Sequence, residues 1–192
     1  MLYQIFGLLI LAGFYGCYFA KMIAQRKQGI ETDQIGKGKV GIVRAIEITM
    51  KVATYLAPLV EIASILRNAA ALPDGARIAG VFIGVAGVAV FITSVVTMRD
   101  SWRAGVSETD KTELITSGIY QFSRNPAFLG FDLVYIGILL MFFNPLLFAA
   151  SAFAMLMLHL QIVNVEEDFL MSAFGEKYLE YRRKVCRYIG RR

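Results

Sequence analysis

The chain has 192 residues, 57% of them hydrophobic and 18% charged, with a formal net charge of +5. A typical soluble domain is nearer half apolar and about a quarter charged, and its apolar residues are spread in short periodic runs. Here they form long blocks with Lys and Arg gathered in the gaps, a pattern that fits lipid head groups and membrane topology and speaks against both a soluble domain and nucleic acid as a partner.

A helix needs about 20 residues to cross the roughly 30 Å hydrocarbon layer, and its backbone groups must be bonded within it. Leu2 to Ile23 is the clearest such segment. No basic region precedes it and it is too long for a signal-peptide core, so it is predicted to remain as a spanning helix. Ile42 to Leu66 is the second span, interrupted by Glu47, Lys51 and Glu61. Glu47 and Lys51 stand four apart and can pair on one face, which lowers the cost of placing them at an interface or in the bundle interior. A helix lying on the membrane surface is the alternative. Arg77 to Met98 is the third span, and its Gly80, Gly84 and Gly87 stripe lets another helix approach closely. Ala127 to Phe143 and Pro145 to Val163 are the fourth and fifth, joined through Asn144-Pro145 as an antiparallel helical hairpin. The helical pattern then continues from Asn164 to Phe174, where Gly175 reads as a C-cap, and a basic, aromatic-rich tail follows.

The fold class is therefore all-α, a polytopic membrane protein of five transmembrane helices forming one integral membrane domain over residues 1–192. Lys and Arg number six from Lys21 to Arg44, two between the second and third spans, four from Arg99 to Arg124, none in the hairpin turn and seven in the tail. Under the positive-inside rule the N-terminus lies outside, and the first loop, the third loop and the C-terminus are cytoplasmic. If the source is bacterial, that membrane is the cell inner membrane. No feature fixes an oligomeric state. Cys17 and Cys186 lie at different depths with no metal spacing, so neither a disulfide nor a metal site is expected.

Polar residues capable of chemistry collect at the cytoplasmic end. The segment from Arg99 to Arg124 holds Asp100, Trp102, Arg103, Glu113, Gly118, Tyr120 and Arg124, more variety than a connection requires. Glu166 and Glu167 arrive as the fifth helix leaves the hydrocarbon, and His159, seven residues earlier, falls on nearly the same face. A solvated helix end and a buried hydrogen-bonding histidine are the plain alternatives. Asp132 and Tyr135 fall early in the fourth span, and Asp132 is a secondary candidate. No phosphate loop, serine nucleophile elbow, histidine metal pair or Cys-x-x-Cys occurs.

Ser101-Trp102-Arg103, then Thr112-Glu113-Leu114-Ile115-Thr116-Ser117-Gly118-Ile119-Tyr120, then Ser123-Arg124-Asn125-Pro126-Ala127-Phe128-Leu129-Gly130 resemble the isoprenylcysteine carboxyl methyltransferase and phospholipid methyltransferase superfamily. Glu166-Glu167-Asp168-Phe169-Leu170, followed by Phe174-Gly175-Glu176-Lys177-Tyr178 and Tyr181, are similar to its second motif. Both motifs lie within residues 99–192.

The resemblance implies a membrane-embedded methyltransferase that uses S-adenosylmethionine without a metal. It further implies a cofactor pocket at the cytoplasmic ends of the last helices and a lipophilic, isoprenoid or phospholipid-like acceptor. The residues expected at the cofactor are Gly118, Tyr120, Arg124, Asn125, Pro126, Phe128, Leu129, Glu166 and Glu167 from the two motifs, together with His159 from its position on the fifth helix, with Arg124 and Asn125 as the catalytic pair. The cofactor's ribose diol suits a carboxylate, its carboxylate suits arginine and its adenine suits apolar or aromatic walls. This sequence has Asn125 where many members have histidine and Phe128 where many have tyrosine. The acceptor atom stays open among oxygen, nitrogen and sulfur. A membrane reductase with a nicotinamide cofactor and a non-enzymatic ligand-binding membrane protein are the alternatives.

Overall fold

The computed structural model describes residues 1–69, 71–105 and 113–192; Thr112 of the first motif lies outside them. The helices are α1 (Leu2–Lys27), α2 (Gly41–Leu66), α3 (Asp74–Met98), α4 (Pro126–Met141), α5 (Pro145–Gln161), α6 (Glu167–Phe174) and α7 (Glu176–Lys184). Single 3-10 turns occupy Arg99–Ser101 and Gly118–Gln121, and a π-helical turn, Ile162–Glu166, joins α5 to α6 without a break. The chain is all-α: the described residues include only isolated β-bridges outside the helices.

Among the described residues, four helical stretches are long and apolar enough to cross a membrane: Leu2–Lys27, Gly41–Leu66, Asp74–Ser101 and Pro145–Phe174. Their outer faces carry exposed Leu9, Leu59, Phe82, Val96 and Leu146, the side chains that lipid would cover. This is an integral membrane protein. The fourth expected span is shorter than the others. α4 has 16 residues, and Phe142 leaves helical geometry at φ −134°, so its rise of about 24 Å falls short of the ~30 Å layer.

Close approach of α3 and α4 follows from glycine. A Cβ on Gly80 would lie 2.6 Å from the Gly137 carbonyl, and one on Gly137 would lie 2.6 Å from the Gly84 Cα. Gly87 and Gly130 face each other in the same way. The glycine stripe expected on α3 is thus a packing seam, matched by a second stripe on α4. Against it, Phe14, Phe91 and Phe131 cluster, with the Phe131 ring edge-on to the other two and the Phe14 and Phe91 centroids 4.4 Å apart.

The helix ends are tied by side chains. Asn144 accepts from the Leu147 N–H at 2.9 Å, capping α5, and donates to Ser64 Oγ at 2.9 Å, fixing the register of the hairpin against α2. Arg77, 8% exposed, donates to the Met141 carbonyl at 2.9 Å at the end of α4 and lies 4.0 Å from the Tyr3 ring centroid. At the other end of the bundle, Glu47 and Lys51 reach partners in the loop before α2: Glu47 accepts from the Gly36 N–H, and Lys51 pairs with Asp33. That loop is bound to the segment after α3, with Gln34 N–H donating to the Ala104 carbonyl at 2.8 Å and Gln25 donating to the Trp102 carbonyl at 2.9 Å.

The tail returns to the same end. After α7, Cys186 N–H donates to Gly190 O at 2.9 Å, closing a small hairpin, and Gly190 N–H donates to Phe122 O at 2.8 Å. The third loop and the tail therefore share one side of the bundle, as their common basic character predicted.

Candidate functional site

Pro126 at the first position of α4 forces Asn125 out of helical geometry, to φ −133° and ψ 55°. The preceding chain is thereby turned inward, and Arg124 and Asn125 are each 7% exposed. Arg124 Nη1 donates to the Tyr178 hydroxyl at 2.7 Å and lies 3.0 Å from Glu167 Oε1, while its Nε has no hydrogen-bond partner among the described residues. Glu167 is held from the other side by Arg187, at 2.8 and 3.0 Å. One carboxylate thus sits between two guanidiniums.

These groups border a chamber of about 120 Å³ walled by the end of α3, the third loop, the start of α4 and the π turn. Arg124, Asn125, Glu166, Tyr120 and Glu113 give it polar character, and Leu114, Phe128 and Leu170 give it apolar walls. Through Met98, Glu113 and Ile115 it shares lining with an open groove of about 780 Å³. On its inner side a second chamber, about 70 Å³ and almost wholly apolar, lies between Tyr18, Met50, Phe91, Phe131 and Leu158. Trp102, Arg103, Ala127 and Phe128 line both chambers.

Burial raises the pKa of the Tyr120 and Tyr181 hydroxyls, so both stay protonated. Tyr120 shares a hydrogen bond of 2.8 Å with Ser94, and Tyr181 donates to the Tyr120 carbonyl at 2.6 Å. The Tyr178 hydroxyl is also raised by burial, against the opposing pull of Arg124. Hydrogen bonding to Glu167 raises the Arg187 guanidinium further.

Of the residues expected from sequence, Tyr120, Arg124, Asn125, Phe128 and Glu166 line the polar chamber. Glu167 lies behind it, engaged by arginines. Gly118 has φ +60° and turns the chain beside Thr97, Pro126 is the first residue of α4, and Leu129 lies one residue past the lining. His159 is outside the chamber, with Nδ1 2.7 Å from the Tyr188 hydroxyl. The expectation that His159 and Glu166 share a face assumed an unbroken α-helix. The π turn between them advances each residue by less than the usual angle and separates the two faces. Asp132, one of whose buried oxygens has no hydrogen-bond partner among the described residues, lies outside the chamber lining. Sequence reasoning missed Arg187 and Tyr188 altogether, because in a tail with seven basic residues nothing singles them out.

The model of the phospholipid methyltransferase family matches residues 76–177. The chain belongs to that family. Among curated proteins, this family member is 36% identical over 72 residues to the protein-S-isoprenylcysteine O-methyltransferase of Saccharomyces cerevisiae, covering 38% of this chain and 30% of that protein. It is 35% identical over 78 residues to the Xenopus laevis enzyme of the same name, covering 41% and 27%. Against protein-S-isoprenylcysteine O-methyltransferase B of Arabidopsis thaliana it is 33% identical over 73 residues, covering 38% and 37%. The matched stretch spans less than two fifths of each of these relatives. The family segment contains the first chemistry-bearing motif and the second as far as Lys177, and stops short of Tyr178, Tyr181 and Arg187.

Proposed function

We propose that the protein is a membrane methyltransferase, with S-adenosylmethionine held in the polar chamber and its open groove, and a lipophilic acceptor reaching the shared wall from the apolar chamber. The observation that carries this reading is the juxtaposition itself: a polar, arginine- and carboxylate-bearing chamber and an apolar one have Trp102, Ala127 and Phe128 in common. The donor set fits the cofactor. Among the described residues the buried Arg124 Nε has no hydrogen-bond partner, which suits a cofactor carboxylate, and Glu166, which accepts from Gln161 at 3.3 Å, offers its carboxyl group to a ribose diol. Leu114, Ile115 and Leu170 offer apolar walls to the adenine.

When bound, the cofactor supplies a methyl group on a cationic sulfur, already activated for displacement. The chain's own residues have the remaining tasks: Arg124 and Asn125 orient the reacting groups, and Trp102 and Phe128 exclude water from the contact between the chambers. Arg124 and Arg187 share the carboxylate of Glu167, which holds guanidinium charge beside the chamber wall. The names of the relatives point to an acceptor oxygen. We further infer that the N-terminus lies outside and the chambers face the cytoplasm, as the Lys and Arg distribution requires.

The test is calorimetric titration of the detergent-solubilised protein with S-adenosylmethionine and S-adenosylhomocysteine, followed by transfer of radiolabelled methyl groups to N-acetyl-S-farnesylcysteine or to phosphatidylethanolamine. Binding of both nucleosides and labelling of the farnesyl carboxylate are expected. Tight binding of a reduced nicotinamide dinucleotide instead would replace this reading with a reductase. Glu166→Gln is expected to weaken S-adenosylhomocysteine binding about tenfold, the worth of a charge-assisted hydrogen bond. Unchanged affinity would remove Glu166 from the diol site.

A further inference from the structure

Residues 185–192 lie beyond the family segment and have the composition of a solvated basic tail, yet they are tied to the site at three places and to α5 at a fourth. Arg124 N–H donates to the Cys186 carbonyl at 3.1 Å, and Asn125 Nδ2 donates to the Arg187 carbonyl at 3.1 Å. The Arg187 guanidinium holds both oxygens of Glu167, and Tyr188 is bonded to His159. The hairpin closed by Cys186 and Gly190, with Arg191 bonded to Gln121, keeps this segment folded against the 3-10 turn at Gly118–Gln121.

The Glu167 carboxylate is 6% exposed and Arg124 3% exposed by side chain, so the direction in which Arg124 points depends on where Glu167 is held. Arg187 fixes that point with a fork that has two donors on one planar group. Tyr178 fixes Arg124 Nη1 from the other side. With both anchors in place, the Arg124 guanidinium has one orientation, with its Nε unpartnered among the described residues.

We propose that this C-terminal strap is a working part of the cofactor site: Arg187 is a positioning residue that aims Arg124 through Glu167, and docking of the strap and filling of the chamber reinforce one another. The proposal rests on the cofactor reading given above. Coupling of this kind is reciprocal, so the factor by which strap loss weakens cofactor binding equals the factor by which cofactor binding favours the docked strap.

Cys186 provides the readout, since it sits in the strap, is half-buried and is unpaired. In a Cys17→Ala background, maleimide labelling of Cys186 reports undocking. Arg187→Gln is expected to weaken S-adenosylhomocysteine binding about tenfold, with Arg187→Lys intermediate because it keeps charge without the fork. Arg183→Gln, which removes the same charge from an exposed position on α7, is expected to bind as wild type. Saturating S-adenosylhomocysteine is expected to slow Cys186 labelling in the parent by a similar factor, and to slow it less in Arg187→Gln. The proposal is overturned if Arg187→Gln binds as tightly as the parent, if its loss of affinity is matched by Arg183→Gln, or if the nucleoside leaves labelling unchanged. Failure of the parent itself to bind would sink the cofactor reading and the strap with it, whereas a parent that binds beside an indifferent Arg187→Gln sinks the strap alone.

Discussion

Replacing Arg124 by lysine is expected to lower methyl transfer about a hundredfold with the fold intact, because misplacement of a positioned group by roughly 1 Å costs that much. Lysine keeps a positive charge beside Glu167, so the buried carboxylate is not stranded, and Arg187 continues to hold it. What is lost is the planar fork, which in the native protein meets Tyr178 and Glu167 through Nη1 and leaves Nε without a partner among the described residues. Arg124→Ala is expected to lose activity beyond detection and to lower the thermal midpoint as well, since removing one partner of a buried pair is far costlier than weakening it. Turnover of radiolabelled methyl groups, measured beside a thermal-stability scan in detergent, separates the two effects. Near-normal turnover by Arg124→Ala would remove this residue from the site.

Gly137→Leu is expected to have the largest effect on stability. Its Cβ would meet the Gly84 backbone at 2.6 Å and the Gly80 carbonyl at 2.8 Å, so no side chain can swing aside to make room. α4 would have to withdraw from α3, opening the packing of Phe91, Val134 and Ile138, all essentially buried. Overpacking of a core typically costs about 1–3 kcal/mol, and a backbone-to-backbone clash belongs at or above the top of that range. The measurement is the fraction recovered as a monodisperse species from detergent, with Gly16→Ala as the comparison, since nothing lies within 4 Å of a Cβ there. Equal recovery of the two variants would show that the α3–α4 seam tolerates separation.

Much of this fold could be read from the sequence because a bilayer makes strong demands on composition. Long apolar blocks, Asn144-Pro145 between the last two spans, the small-residue stripe on α3 and the cap at Gly175 each have one physical meaning, and each appears where it was expected. Arg124, Asn125, Tyr120, Phe128 and Glu166 reached the chamber because Pro126 and the start of α4 fix the local geometry within a few residues. The readings that went astray depended on distance along a helix or across space. His159 was placed by counting residues through a helix that turned out to contain a π turn. Glu166 and Glu167 look equivalent in sequence, yet one lines the chamber and the other lies between two arginines. Arg187 carries no local signal, because only the closing of the tail hairpin brings it to Glu167.

The π turn at Ile162–Glu166 has a consequence for chain length. A π turn absorbs one surplus residue, so the helix on either side keeps the azimuth it would have had in a chain one residue shorter. Removing a single residue between Gln161 and Glu166 would therefore restore an unbroken α-helix from Pro145 onward and leave both carboxylates on their present faces. Adding one there, or regularising the turn without a deletion, would swing them by about 100°, one residue's rotation in an α-helix. The glutamate now in the chamber would leave it, and the carboxylate between the arginines would be carried away from them. Length changes compatible with the site are thereby confined to this one turn, and in a set of related chains an alignment gap should open here and nowhere else along the helix.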